Sequence, residues 1–242
     1  MNKIYLRLWG LILMIPILVN SIAFASVIVK EERKVTEFNR ISLEGYGNVI
    51  LTQNGSETLI VEANKDLMHL IETKVRNNTL HLKVKSGLWQ KIGIKDSITY
   101  YINVNSIEGL FISGSGNITA DNIESKKLVN RISGSGSISV ESIHTRDLNI
   151  EISGSGDCYL NGETNNQSIS ISGSGSYDGI NLISEVTSVT VSGSGKATVW
   201  VEKEFDVIIS GSGAVEYRGD PKNISSQKSG SGSIRKFGGS LK

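Results

Sequence analysis

The sequence predicts an all-β protein wound as a right-handed parallel β-helix, a β-solenoid with roughly 20-residue turns. Three observations carry this. First, close relatives of Ile-Ser-Gly-Ser-Gly recur at Ile112, Ile132, Ile152, Ile171, Val191, Ile209 and Lys228, always 18 to 20 residues apart. A flexible linker has no reason to keep a period, whereas a solenoid must. Second, within each repeat the apolar residues alternate with polar ones. Counting the leading Ile as position 0, position 6 holds Ile118, Ile138, Cys158, Tyr177, Ala197, Val215 and Ile234. Position 8 holds Ala120, Val140, Leu160, Gly179, Val199, Tyr217 and Lys236. Period two is the mark of strands buried on one face. Third, 26 glycines against two prolines suit many repeated strand corners and short alternating runs, and exclude helices from this half.

The chain divides into three parts. Residues 1–25 read as a signal peptide: Lys3 and Arg7 precede the apolar stretch "LWGLILMIPILVNSIAFA", which ends in the A-x-A signal Ala23-Phe24-Ala25. The stretch is just long enough to span a bilayer, but the A-x-A and the polar residues after it favour cleavage before Ser26 over retention as an anchor. No cysteine follows the cleavage site to carry a lipid, and no later run is apolar enough for a transmembrane helix. The expected location is therefore outside the cytoplasmic membrane, in a periplasm, at the cell surface or secreted.

Residues 26–105 read as a β-rich portion that caps the solenoid or continues into it. Strand-like runs are "VIVKEERKV", "ETLIVEAN", "TLHLKVK" and "ITYYINV", with "RNN" as a turn before "TLHL". "KDLMHLIET", residues 65–73, is the one stretch suited to a short helix. "SLEGYGNVIL", residues 42–51, looks like a divergent first copy of the repeat, with Gly45 and Gly47 at its glycine positions. Residues 106–242 are the SGSG-repeat solenoid proper. Its glycines at positions 2 and 4 share the even parity of the isoleucines and are expected to point inward. Lys228 and Lys236 replace apolar residues in the last turn, as suits a solvated end.

Stacking like residues about 4.8 Å apart turns the outward serines into two rows. One comprises Ser113, Ser133, Ser153, Ser172, Ser192, Ser210 and Ser229, the other Ser115, Ser135, Ser155, Ser174, Ser194, Ser212 and Ser231. They either solvate an exposed sheet or form a polar binding face; the candidate ligand-binding residues are the serines from Ser113 to Ser194.

Other chemistries find little support. With 25 basic and 24 acidic residues the net charge is +1, which argues against a nucleic-acid binder. Cys158 is the only cysteine, so no internal disulfide forms, and its position marks it as a small core residue rather than a nucleophile. Calcium-binding solenoids need a carboxylate in every turn; the residue after SGSG is Asn117, Ser137, Asp157, Ser176, Lys196, Ala214 and Ser233. "SGSGKAT", residues 192–198, lacks the first glycine and the Ser or Thr of a phosphate loop. His69, His81 and His144 occur singly, and no metal or cofactor is expected. Arg218-Gly219-Asp220 before Pro221 reads as a turn. Parallel β-helices also cleave polysaccharides, and Asp121 with Glu141 share a register in neighbouring turns; Glu163, Glu202 and Asp220 share another, spaced by intervening turns.

The stretch "EGYGNVILTQNGSETLIVEAN", the serial SGSG turns and "AVEYRGDPKNISSQKSGSGSIRK" resemble the head GIN domain family, described as auto-transporter adhesins and formerly a domain of unknown function. The resemblance spans roughly residues 33–237. It implies an exported bacterial protein with a right-handed β-helix, and it brings no catalytic residues. Unlike a true auto-transporter, this chain offers no C-terminal stretch long enough for a membrane β-barrel. The expected function is a non-enzymatic binding module for an envelope glycan or a surface protein. The alternatives are a polysaccharide-active enzyme using Asp121 and Glu141, and a purely structural envelope component.

Overall fold

A computed structural model describes residues 27–85 and 97–237; the expected signal peptide lies outside the described residues. Alternating apolar residues put most of the repeat region into strand. The strands β1 (Ile28–Arg33), β2 (Arg40–Gly45), β3 (Asn48–Gln53) and β4 (Thr58–Asn64) are followed by a one-turn helix α1 (Lys65–Met68). Next come β5 (Ile71–Arg76), β6 (Thr79–Val84), β7 (Thr99–Val104) and β8 (Gly109–Gly114). Five long bent strands then form the coils: β9 (Asn117–Gly134), β10 (Ser137–Gly154), β11 (Asp157–Gly173), β12 (Ser176–Gly193) and β13 (Lys196–Gly211). The chain closes with β14 (Ala214–Arg218), β15 (Asn223–Ser229) and β16 (Ser233–Lys236).

Each long strand is one turn of a parallel β-solenoid. A strand stops at the first glycine of SGSG and the next begins after a gap of two residues, so the motif is the corner at which one coil becomes the next. Coils pair in parallel and in register: Ile132, Ile152, Ile171, Val191 and Ile209 stack in one column. Between β10 and β9 the pairing falls into three stretches, Ser137–Val140, Ser142–Thr145 and Asp147–Gly154, separated by bends. The even-position side chains, among them Ile138, Val140, Ile150, Ile152 and Leu160, fill the interior and are fully or almost fully buried. Removing that apolar surface from water is the principal stabilising term, at about 25 cal/mol per Å². The interior also holds a hydrogen-bonded polar cluster: Gln167 donates to Ser184 Oγ at 2.9 Å and to Thr187 Oγ1 at 3.1 Å, and accepts from the Tyr177 hydroxyl at 2.9 Å.

The two glycines of the motif differ, which corrects the expectation that both point inward. Gly154, a position-2 glycine, has φ +118, and a Cβ there would lie 2.6 Å from the Gly134 carbonyl oxygen of the preceding coil. Its missing side chain faces the neighbouring coil's backbone, not the core. Gly156, at position 4, is buried; a Cβ there would meet Ile132 Cγ2 at 2.4 Å and the Gly136 oxygen at 2.7 Å. These close approaches let Ser155 N–H donate to Gly134 O at 2.9 Å and Asp157 N–H donate to Gly136 O at 3.1 Å. The same pair of bonds recurs at the corners above and below.

The N-terminal strands enter the same sheet. β2 pairs in parallel with β8, aligning Leu43 with Ile112 and Gly45 with Gly114, and β3 pairs in parallel with β9. β6 lies on the other side of β2 and β7 on the other side of β3, both parallel. Beyond them the direction reverses: β5 runs antiparallel to β6, β4 antiparallel to β7, and β1 antiparallel to β4 in turn. Asn77 and Asn78, both at positive φ (50° and 57°), turn β5 into β6, as a two-residue hairpin loop requires. The helix is shorter than its sequence suggests. Asn64 Oδ1 accepts from Asp66 N–H at 3.0 Å and starts it, but Ile71–Arg76 is drawn into antiparallel pairing with β6. At the opposite end β15 is exposed throughout, and Lys228 stands in register with the buried Ile209.

The corner geometry makes a testable demand. Gly154→Val should lower unfolding free energy by about 1–3 kcal/mol or more, through the positive φ and the carbonyl contact. Urea denaturation reads this, and an unchanged midpoint would contradict the geometry.

Candidate binding face

The serine rows are built by the corner. Ser113, Ser133, Ser153, Ser172, Ser192, Ser210 and Ser229 stand opposite one another through consecutive in-register pairs. The second row, which includes Ser115, Ser135, Ser155, Ser174 and Ser194, uses its backbone N–H on the glycine carbonyl of the coil before. All the serines of both rows are exposed. Among the described residues none of their hydroxyls has a side-chain hydrogen bond, so each keeps a donor and acceptor capacity for solvent or a ligand.

The next outward row differs. Asn117 Nδ2 donates to Asn48 Oδ1 at 3.0 Å, Ser137 Oγ to Asn117 Oδ1 at 2.8 Å, and Ser176 Oγ to Asp157 Oδ1 at 2.5 Å. Those polar groups satisfy one another along the coil axis, while the serine rows beside them do not. Flanking the first serine row, Arg131 donates to Glu151 at 2.7 Å and its guanidinium lies 5.6 Å from the Phe111 ring centre. The Arg131 hydrogen bond holds the Glu151 carboxyl below its ordinary range.

The carboxylates fall into two places. Asp121 and Glu141 come side by side, between the pairs Val140–Ala120 and Ser142–Asn122, and both are exposed at a bend. Glu163 and Glu202 line one cleft of about 360 Å³ together with His144, Glu185 and Lys203. His144 Nε2 is 3.7 Å from Glu163, and Lys203 Nζ is 2.8 Å from Glu185, whose carboxyl it holds low. Asp220 stands apart, paired with Lys236. Sequence spacing puts Glu163 and Glu202 in one register but does not bring Glu185, His144 and Lys203 to them, because coil lengths change here: pairing of β12 with β13 jumps from Gly179–Val199 to Ile183–Trp200. Unequal coil lengths, visible as the 18-residue step from Val191 to Ile209, are the signal that marks the site. Among the described residues no group of His, Cys, Asp or Glu is arranged to hold a metal ion.

Residues 37–221 match the family model described as "Putative auto-transporter adhesin, head GIN domain". The chain belongs to this family. Solved structures share the head GIN fold at low identity. A "putative adhesin" from Bacteroides fragilis is 24% identical, with a TM-score of 0.80, over 88% of this chain and 98% of that one. A "putative lipid binding protein" from Parabacteroides distasonis is 23% identical, with a TM-score of 0.69, over 87% and 96%. A "putative adhesin" from the same organism is 19% identical, with a TM-score of 0.68, over 88% and 98%. Among curated proteins none matches. No helix of the described residues in this head GIN chain is long and apolar enough to cross a membrane.

Cys158 lies wholly inside the head GIN coil, and burial pushes its thiol from 9.0 up to about 12. It should therefore resist thiol reagents in the native protein and react only on unfolding. The raised value means its proton stabilises the fold below pH 9.0, and that contribution is lost as pH climbs toward about 12. Urea titrations at about pH 8 and about pH 10.5 should show a smaller alkaline loss in Cys158→Ala than in the parent, by on the order of 1–2 kcal/mol.

Proposed function

We propose that this protein is an exported, cell-envelope or surface binding module of adhesin type, without catalytic activity, that presents its serine rows to a glycan or a surface protein. The observation that supports this most is the pair of continuous exposed hydroxyl rows with no internal partners, held on a coil whose register is fixed by main-chain bonds. Each hydroxyl contact is weak, worth about 1 kcal/mol net, but a ligand lying along several coils engages many at once, and the contacts sum through effective concentration. A rigid presenting surface also loses little entropy on binding. The adhesin descriptions of the family and of structural neighbours point the same way. One neighbour carries a lipid-binding description; the hydroxyl rows of this chain suit hydrogen-bonding partners better than acyl chains.

The test is a charge-neutral triple substitution that removes the hydroxyls of one row, Ser133→Val, Ser153→Val and Ser172→Val, in a chain screened against envelope polysaccharides and immobilised cell-surface extract for both binding and cleavage. Binding should be lost while far-UV circular dichroism and melting stay as in the parent, because these side chains are exposed. Retained binding would exclude the serine rows. Release of soluble sugar, abolished by Asp121→Asn, would instead support an enzyme.

A further inference from the structure

The first serine row does not end at Ser113. Register carries it onto Glu44 of β2, then Lys83 of β6, then Glu72 of β5. The row beside it runs from Arg131 and Phe111 through Ser42 to His81 and Lys74. The hydroxyl face and a charged N-terminal patch are therefore one continuous sheet surface.

That patch is concave. Two adjoining clefts, of about 620 and 270 Å³, share Glu44, Glu72 and Lys83; Ser113 lines the larger, with Lys85, and Lys74 and Arg76 line the smaller. Four permanent cations thus face two carboxylates. The carboxylates are already engaged: Glu44 Oε1 lies 2.8 Å from His81 Nδ1, and Glu72 lies 3.6 Å from Lys83 Nζ. Lys85 gives one hydrogen bond to the His69 carbonyl at 3.1 Å. Among the described residues Lys74, Arg76 and Lys85 have no carboxylate partner, so the clefts hold uncompensated positive charge where the hydroxyl row begins.

From this continuity we infer that the ligand is an acidic polysaccharide, a carboxylate-bearing glycan whose sugar hydroxyls lie along the serine row and whose charged groups enter the clefts beside Lys74, Arg76 and Lys85. The inference rests on the serine-row reading above and narrows its ligand class. Guanidinium and ammonium groups supply charge-assisted hydrogen bonds to carboxylates, and the serines supply the neutral contacts between them. A phospholipid surface would satisfy the cations, but this face offers hydroxyls where a membrane contact would need apolar side chains.

The experiment uses the purified protein with polygalacturonic acid, dextran and phosphatidylglycerol vesicles as probes. At low salt, polygalacturonate should bind at least roughly tenfold more tightly than dextran, and added salt should weaken it. The double variant Lys74→Glu, Arg76→Glu should weaken polygalacturonate roughly tenfold or more and leave dextran unchanged. The triple serine variant should weaken both polymers, with folding of each variant checked by circular dichroism. Unchanged polygalacturonate binding in the charge-reversed protein, or equal binding of the two polymers, overturns the acidic-glycan inference while the serine rows stand. Undiminished binding in the serine variant overturns the row reading itself. Binding to vesicles but not to polygalacturonate overturns the inference in favour of a membrane, and binding to no probe overturns it outright.

Discussion

The main-chain contact between glycines of successive coils is the constraint on which the rest of the structure depends. Gly134 accepts from Ser155, and Gly136 accepts from Asp157, because neither Gly154 nor Gly156 carries a Cβ that would hold the coils apart. One contact demands a positive φ, the other a seat against Ile132. Together they fix how far each coil rises and where its strand restarts. A one-residue slip would turn the inward isoleucines out and the serines in, so the corner sets the parity of everything that follows it.

Once parity is fixed, the two surfaces of the coil take on separate tasks. The inward columns gather mostly Ile, Val and Leu, and the buried polar side chains of Gln167, Ser184 and Thr187 bond to one another among them. The outward columns differ from one another in how far they satisfy themselves. Asn117, Ser137, Asp157 and Ser176 bond along the axis to their own row, whereas the serine rows do not. A surface that has spent its hydrogen bonds internally offers little to a partner, and one that has not is available. That difference separates the candidate face from ordinary exposed sheet.

Much of the fold was legible from residue spacing. The 18 to 20 residue period, the alternation around Ile132 or Ile152, and the Asn-Asn turn are local signals, and each corresponds to an observed element. β5 was not legible: "IETKVR" follows a plausible helix start, and only pairing with β6 makes it a strand. The roles of the two glycines were also hidden, because parity alone cannot tell a residue facing the core from one facing the next coil. Of the candidate sites, the serine rows could be written from the repeat, and Asp121 beside Glu141 followed from equal coil lengths. Glu163 and Glu202 shared a register in the spacing, but Glu185 beside them could not be read, since the coils there differ in length and the register jumps between Gly179 and Ile183.

The sequence by itself determined the coil, the parity of its side chains and the membership of the serine rows, because a strict repeat stacks each residue on its own counterpart. It could not place β5 and β6 against the divergent coil at residues 42–51, since these strands share no repeat with it. That placement was decided by tertiary pairing alone, which sets Lys83 beside Glu44 and so brings charge to the end of a hydroxyl row. Local periodicity reports which way a side chain faces. Only long-range strand pairing decides what lies next to it.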